Sequence, residues 1–294
     1  MKLKILFIIN PISGARKKKI IPKLIEDYLD SMKFEHEILY TEYTGHGHIL
    51  AKEALERGVN IVCAIGGDGS VHDVGTALTD TDAILAIIPS GSGNGYARHF
   101  SIPLRLKDAI FIINQMKTRK VDVGLLNDHQ FLCASGFGFD AYISECFSRY
   151  HARGLSGYIR LIIKEYFNYK EQIISIKIDK KEFETKNFMC SIANASEFGN
   201  GFCISPYSNV HDGKMEIVLL KKFPWYKAPF VAYKFFKGRP QTSRYVKISS
   251  FNDLELKLKT NIAHVDGEPI ELEPKVKIGI KPLALNLIVG ENYA

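Results

Sequence analysis

Four short strand-like runs, at residues 4–9, 35–41, 60–65 and 83–88, of which all but the second are almost unbrokenly apolar, constrain this chain more than any other feature. A half-buried strand alternates apolar and polar residues. A run apolar at nearly every position is buried on both faces, as in a parallel sheet covered by helices. The stretches between the runs, residues 18–32, 46–57 and 70–79, carry helical spacing and close the crossovers of βαβ units. Residues 1–126 therefore read as an α/β domain with a mainly parallel sheet.

Beyond Asn127 strands follow strands, at residues 130–135, 173–178, 188–193, 215–220, 245–249, 254–258 and 276–280. Two helices, near residues 156–167 and 225–236, interrupt them. This pattern predicts a mainly antiparallel β-sandwich over residues 127–282. With 294 residues the chain has room for about two such domains. There is no internal repeat or long linker, so the two are expected to pack tightly, with the ligand cleft between them.

Composition excludes several classes. With 46% hydrophobic and 24% charged residues, the chain is neither collagen-like, disordered nor a disulfide miniprotein. Its five cysteines are odd in number and lack C-x-x-C spacing, which fits buried thiols. No apolar run reaches the roughly 18–20 residues of a membrane span, and the short apolar start lacks a cleavage site. A cytoplasmic protein is expected. The net charge of +7 favours anionic partners without naming them.

Three strands end in turns rich in Gly, Ser and Asn. Asn10-Pro11-Ile12-Ser13-Gly14 ends the first, Gly66-Gly67-Asp68-Gly69-Ser70 the third, and Pro89-Ser90-Gly91-Ser92-Gly93-Asn94-Gly95 the fourth. Glycine lets a backbone approach a ligand closely, and Ser70 is placed to cap the helix that follows. In a parallel sheet all strand carboxyl ends share one edge, so the three turns are expected to converge there on an anion. Asp68 is the anomaly. A carboxylate aimed at phosphates implies Mg²⁺ or acid–base chemistry; the alternative is that it only caps backbone. No Walker motif is present and no G-x-G-x-x-G follows the first strand.

Together with Gly136-Phe137-Gly138-Phe139-Asp140 and Asp266-Gly267-Glu268, these turns resemble the lipid kinase superfamily of bacterial diacylglycerol kinases and sphingosine kinases, in order and approximate spacing. The resemblance implies an α/β nucleotide-binding domain, a β-sandwich lipid domain, and a last segment, residues 283–294, that returns to the first. It implies ATP-dependent phosphorylation of a lipid hydroxyl, of diacylglycerol or a long-chain base, with Mg²⁺. The nucleotide would be held by Asn10, Pro11, Ser13, Gly14, Thr41, Gly66, Gly67, Gly69, Ser70, Asp73, Gly91, Ser92 and Asn94. Glu268 matches the family's general base; in sphingosine-kinase-like members that role falls to the position of Asp68, and both stay candidates. An exposed Glu is a weak base at its ordinary pKa, so Glu268 calls for burial or a carboxylate neighbour such as Asp266. Asp212, in an Asp-Gly turn, matches a structural Mg²⁺ ligand, although His211 stands where the family has an acid.

Single residues divide on the acceptor: Gly95 after Asn94, and His72 before Asp73, lean toward the long-chain-base branch. Among Arg16, Lys17, Lys18 and Lys19, Lys17 is the foremost candidate to neutralise a triphosphate. Basic residues interleaved with aromatics at 221–227 and 235–239 suit an anionic membrane surface, or else form a helix whose aromatic face is core. The expected partners are a lipid substrate and peripheral membrane contact, with a homodimer left open and no nucleic acid, for which no recognition motif exists. An NAD kinase-like enzyme and a non-catalytic nucleotide- or lipid-binding module are the competing readings.

Overall fold

The computed structural model describes residues 2–14, 18–149, 155–179 and 181–293. The chain divides into two compact units, Met1–Asp122 with Leu283–Ala294, and Val123–Pro282. The boundary thus falls just ahead of the one read from the sequence.

The N-terminal unit runs β1 (Leu3–Ile9), α1 (Ile21–Tyr28), β2 (Phe34–Tyr40), α2 (His46–Glu56), β3 (Ile61–Gly66), α3 (Asp68–Ala77), β4 (Ile84–Pro89), α4 (Gly95–His99) and α5 (Leu106–Gln115), and then enters β5 (Thr118–Leu126). The strands pair in the order β2-β1-β3-β4, all parallel. Every residue of β3 is buried. Ile5, Phe7 and Ile9 of β1 pack with Cys63 and Ile65 of β3 and with Ile21 and Ile25 of α1. Ile9 pairs with Tyr40 and Ile65, and Gly66 with Pro89, so these strands end level with one another.

The C-terminal unit continues with β6 (His129–Phe131), β7 (Ala134–Gly138), α6 (Phe139–Arg149), α7 (Leu155–Asn168), β8 (Gln172–Ile178), β9 (Lys181–Asn187), β10 (Met189–Ala193), β11 (Met215–Leu220), α8 (Ala228–Phe236), β12 (Val246–Phe251), β13 (Leu254–Lys257), β14 (Ile262–Val265), β15 (Glu268–Glu271) and β16 (Lys275–Ile288). One antiparallel sheet has the order β12-β11-β10-β7-β14-β15; the other joins β9, β8, β13 and the first residues of β16. Phe137, Ile192 and Ile217 of the first meet Ile176, Leu256 and Val276 of the second in a sandwich core. The first sheet's other face carries Met189, Val218 and Leu220 against Ile143, Leu161, Val231 and Phe235 of the helices. Covered on both sides, β11 is buried throughout.

The sequence pattern and the structure part in four places. The helix expected to reach residue 32 stops at Tyr28, because Asp30 accepts the amide of Met32 in a turn of its own. The strand expected at 130–135 is cut in two, because the amides of Leu132 and Cys133 donate to the carboxylate of Asp266 instead of to a strand. The last strand is not five residues but fourteen; beyond Pro282 its end pairs in parallel with β4 of the N-terminal unit. α4, α5, β5, α6 and β9 were not anticipated. Among the described residues no helix is long and apolar enough to cross a membrane.

Candidate functional site

In the N-terminal unit the three turns pack directly on one another. The amides of Ser90 and Gly91 both donate to the carbonyl of Gly66, at 2.7 and 3.0 Å. A Cβ on Gly91 would stand 2.3 Å from the Cα of Gly67, and one on Gly14 2.0 Å from the carbonyl oxygen of Ser90. Gly14 also has φ +64, which other L-residues adopt at a cost. These glycines are therefore required for the turns to meet at all. Asn94, in the left-handed region at φ 54, closes its own turn by exchanging two side-chain hydrogen bonds with Gly91, while Ser92 is exposed beside it.

Side chains tie the turns together. Asn10 donates from Nδ2 to Ser70 Oγ at 3.3 Å and accepts the amide of Ile12 on Oδ1. Ser70 is not the helix cap. α3 begins at Asp68 with Gly67 in the cap position, which leaves the Ser70 hydroxyl within the first turn as a partner for Asn10. The first amides of that helix lack intrahelical acceptors, as at any helix start. Asp68 accepts the amide of Tyr96 on Oδ1 at 3.2 Å, so its carboxylate links α3 to the start of α4. The Thr41 amide donates to Ile9, which places the β2 turn beside the β1 turn. Asp73 lies one helical turn further along α3, next to Gly47, and burial pushes its carboxyl above the ordinary range, opposed by the nearby His72 and His48.

Arg16 and Lys17 lie outside the described residues. Lys18, which the sequence did not single out, is buried and donates from Nζ to the carbonyl of Asn10 at 2.8 Å and to Ser13 Oγ. Burial lowers its pKa to about 8. Among the described residues no carboxylate pairs with this ammonium.

In the C-terminal unit Glu268 is exposed at the start of β15. It lacks the burial that the sequence reading called for, and the carboxylate of Asp266 is committed to backbone amides. Asp266 accepts the amides of Leu132, Cys133 and Ala134, at 2.8, 2.7 and 3.0 Å, and so pins the β14–β15 turn to the segment between β6 and β7. Asp140, on the first turn of α6, is buried and accepts Ser191 Oγ at 2.6 Å and His264 Nε2 at 3.3 Å. Because His264 Nδ1 accepts the Gly267 amide, Nε2 is the protonated nitrogen. Gly136 pairs with both Ser191 and His264 in the sheet, and a Cβ there would stand 2.2 Å from Asp140 Oδ2. The absence of a side chain at Gly136 makes the room that Asp140 fills. Asp212 is exposed and accepts the Lys214 amide in a local turn. Among the described residues no cluster of three or more His, Cys, Asp or Glu side chains could cage a metal.

Residues 4–126 match the family of the diacylglycerol kinase catalytic domain, and residues 134–289 that of the YegS C-terminal NAD kinase beta sandwich-like domain. The chain belongs to the lipid kinase superfamily. Within the superfamily it is 28% identical to "Putative lipid kinase YtlR" of Bacillus subtilis (strain 168), over 91% of this chain and 94% of that one. It is 25% identical to a diacylglycerol kinase of the same organism, over 89% and 88%. Its fold is that of a diacylglycerol kinase crystal structure from Bacillus anthracis str. Sterne, with TM-score 0.74 at 18% identity, over 99% and 98% of the two chains.

Lys18, His264 and Ser191 were missed from the sequence. Lys18 sits in a basic run whose members look alike until the 3₁₀ turn at Lys18–Ile20 turns one of them inward. His264 sits in a short, mainly apolar strand, and only the sheet register and the fold of α6 bring it to Asp140.

Proposed function

We propose that this protein is an ATP-dependent lipid kinase that transfers the γ-phosphate to a hydroxyl of diacylglycerol or a long-chain base, working peripherally at an anionic membrane from the cytoplasm. The observation that carries the reading is the direct packing of the Asn10–Gly14, Gly66–Ser70 and Ser90–Asn94 turns on one another, with the buried Lys18 ammonium held by Asn10 and Ser13 of the first turn.

A triphosphate fits that arrangement. The positive end of the α3 dipole and the ammonium of Lys18 supply positive potential, and Asn10, Ser13, Ser70 and Ser92 supply donors to phosphate oxygens. Thr41 and Asp73 would border the nucleoside end. Mg²⁺ is commonly bound by one or two carboxylates together with substrate phosphates, and Asp68 would hold it, where it neutralises developing charge. A second ion at Asp212 would draw on backbone carbonyls and water for its other ligands.

Glu268 is our candidate for the base that takes the hydroxyl proton, with Asp68 as the alternative. Exposure keeps Glu268 accessible to an acceptor, and a phosphoryl transition state with little bonding to the nucleophile asks little of a base. The buried Asp140–His264–Ser191 cluster would align the polar head of the acceptor. Transfer of labelled phosphate from ATP to a panel of diacylglycerol, monoacylglycerol, phosphatidylglycerol, sphingosine and ceramide tests the reading. Labelling of NAD alone would replace it with the NAD kinase-like alternative, and no labelling of any acceptor would leave a binding module.

A further inference from the structure

Between Glu216 and Asp253 lie 36 consecutive residues without a carboxylate side chain, eight of them Lys or Arg. The middle of this stretch folds as a 3₁₀ turn, Trp225–Lys227, followed by α8. Val231 and Phe235 of α8 enter the core. The outward half carries Trp225, Tyr226, Phe230, Tyr233 and Phe236, each between 56% and 63% exposed. The aromatic face is thus not core. Lysines lie over it: Lys227 Nζ is 5.7 Å from the ring centre of Tyr226, Lys234 5.0 Å from Phe230, and Lys237 5.7 Å from Tyr233. Phe230, Tyr233, Lys234, Lys237, Arg239 and Thr242 line an open groove of about 350 Å³.

We propose that this face is the surface by which the protein docks on an anionic lipid bilayer, with the five rings seated at head-group level and Lys237 and Arg239 on lipid phosphates. Clustered aromatic rings left in water mark an interaction surface, and rings flanked by lysine are suited to the interface between acyl chains and head groups. The charge is of one sign, complementary to acidic lipid. A second copy of the chain is the poorer occupant. A two-fold interface would set the patch against itself, and the stretch offers no carboxylate to answer its own cations. The inference locates the membrane contact of the proposed function, yet vesicle binding is read without turnover, so either can fail while the other stands.

The test is co-sedimentation of the full chain with vesicles of phosphatidylcholine alone and of phosphatidylcholine mixed with phosphatidylglycerol. Binding is expected to the mixed vesicles only, to weaken with salt, and to shift the emission of Trp225, the sole tryptophan, to the blue. The double variants Phe230→Ser with Tyr233→Ser, and Lys237→Glu with Arg239→Glu, change exposed side chains. Each should lose vesicle affinity about tenfold or more while keeping the circular dichroism and melting temperature of the parent. Equal binding to neutral vesicles, undiminished binding by both variants, or a dimer that only the aromatic variant abolishes would overturn the proposal.

Discussion

The Cα of Gly67 stands 2.3 Å from where a Cβ on Gly91 would be, so the turns after β3 and β4 touch backbone to backbone. Gly91→Ala must push the two turns apart. A cost of about 1–3 kcal/mol is expected from overpacking, along with loss of nucleotide binding, as read by thermal melting with and without ATP. Gly58→Ala meets nothing within 4 Å and serves as the control: it strains a positive φ but leaves ATP binding intact.

Lys18 is expected to make nucleotide affinity depend on pH. Burial lowers its pKa from the ordinary 10.5 to about 8. Between those values the unfolded chain holds the proton and the folded chain does not, so this residue makes stability rise with pH across that window and fall as pH drops toward 8. Phosphate binding needs the opposite, protonated form. ATP affinity, measured by calorimetry, is expected to decline as pH climbs past about 8, and Lys18→Met should bind weakly at every pH with that decline gone.

Asp266 and Glu268 should separate stability from activity. Asp266 holds three backbone amides of another segment. Asp266→Asn keeps the side chain's shape and its tolerance of φ 49 but removes the charge, which should cost about 1–2 kcal/mol in denaturant unfolding. Glu268→Gln changes an exposed residue. It should leave the unfolding midpoint unmoved and depress phosphate transfer, and a midpoint shift as large as that of Asp266→Asn would make its role structural.

The Asp140 cluster gives a fourth expectation. Gly136→Ala drives a methyl into Asp140 Oδ2 and His264 Nε2, both of them buried. Destabilisation of about 2 kcal/mol or more is expected. His264→Gln retains a donor toward Asp140 and should be milder in melting experiments.

How far the sequence could be read follows from which features are local. The parallel sheet was visible because β1, β3 and β4 are buried on both faces and so apolar nearly throughout. The convergence of the three turns followed from that one fact, since parallel strands share an edge. Asp266 was misjudged because its role is set by residues more than 130 positions away, which only the fold brings near. The same holds for His264 and Asp140, and for the aromatic face of α8. Its composition suited core as well as membrane, until Val231 and Phe235 proved to be the buried pair.

The account turns on phosphoryl transfer through Asp68. Asp68→Asn preserves an acceptor for the Tyr96 amide and removes the charge, so the fold should persist. The decisive measurement is labelled-phosphate transfer from ATP to the lipid panel by the parent chain and this variant, at matched melting temperature. The account expects a labelled lipid from the parent and a loss of about 100-fold or more from the variant; equal turnover by the two, or no labelled lipid from the parent, would contradict it.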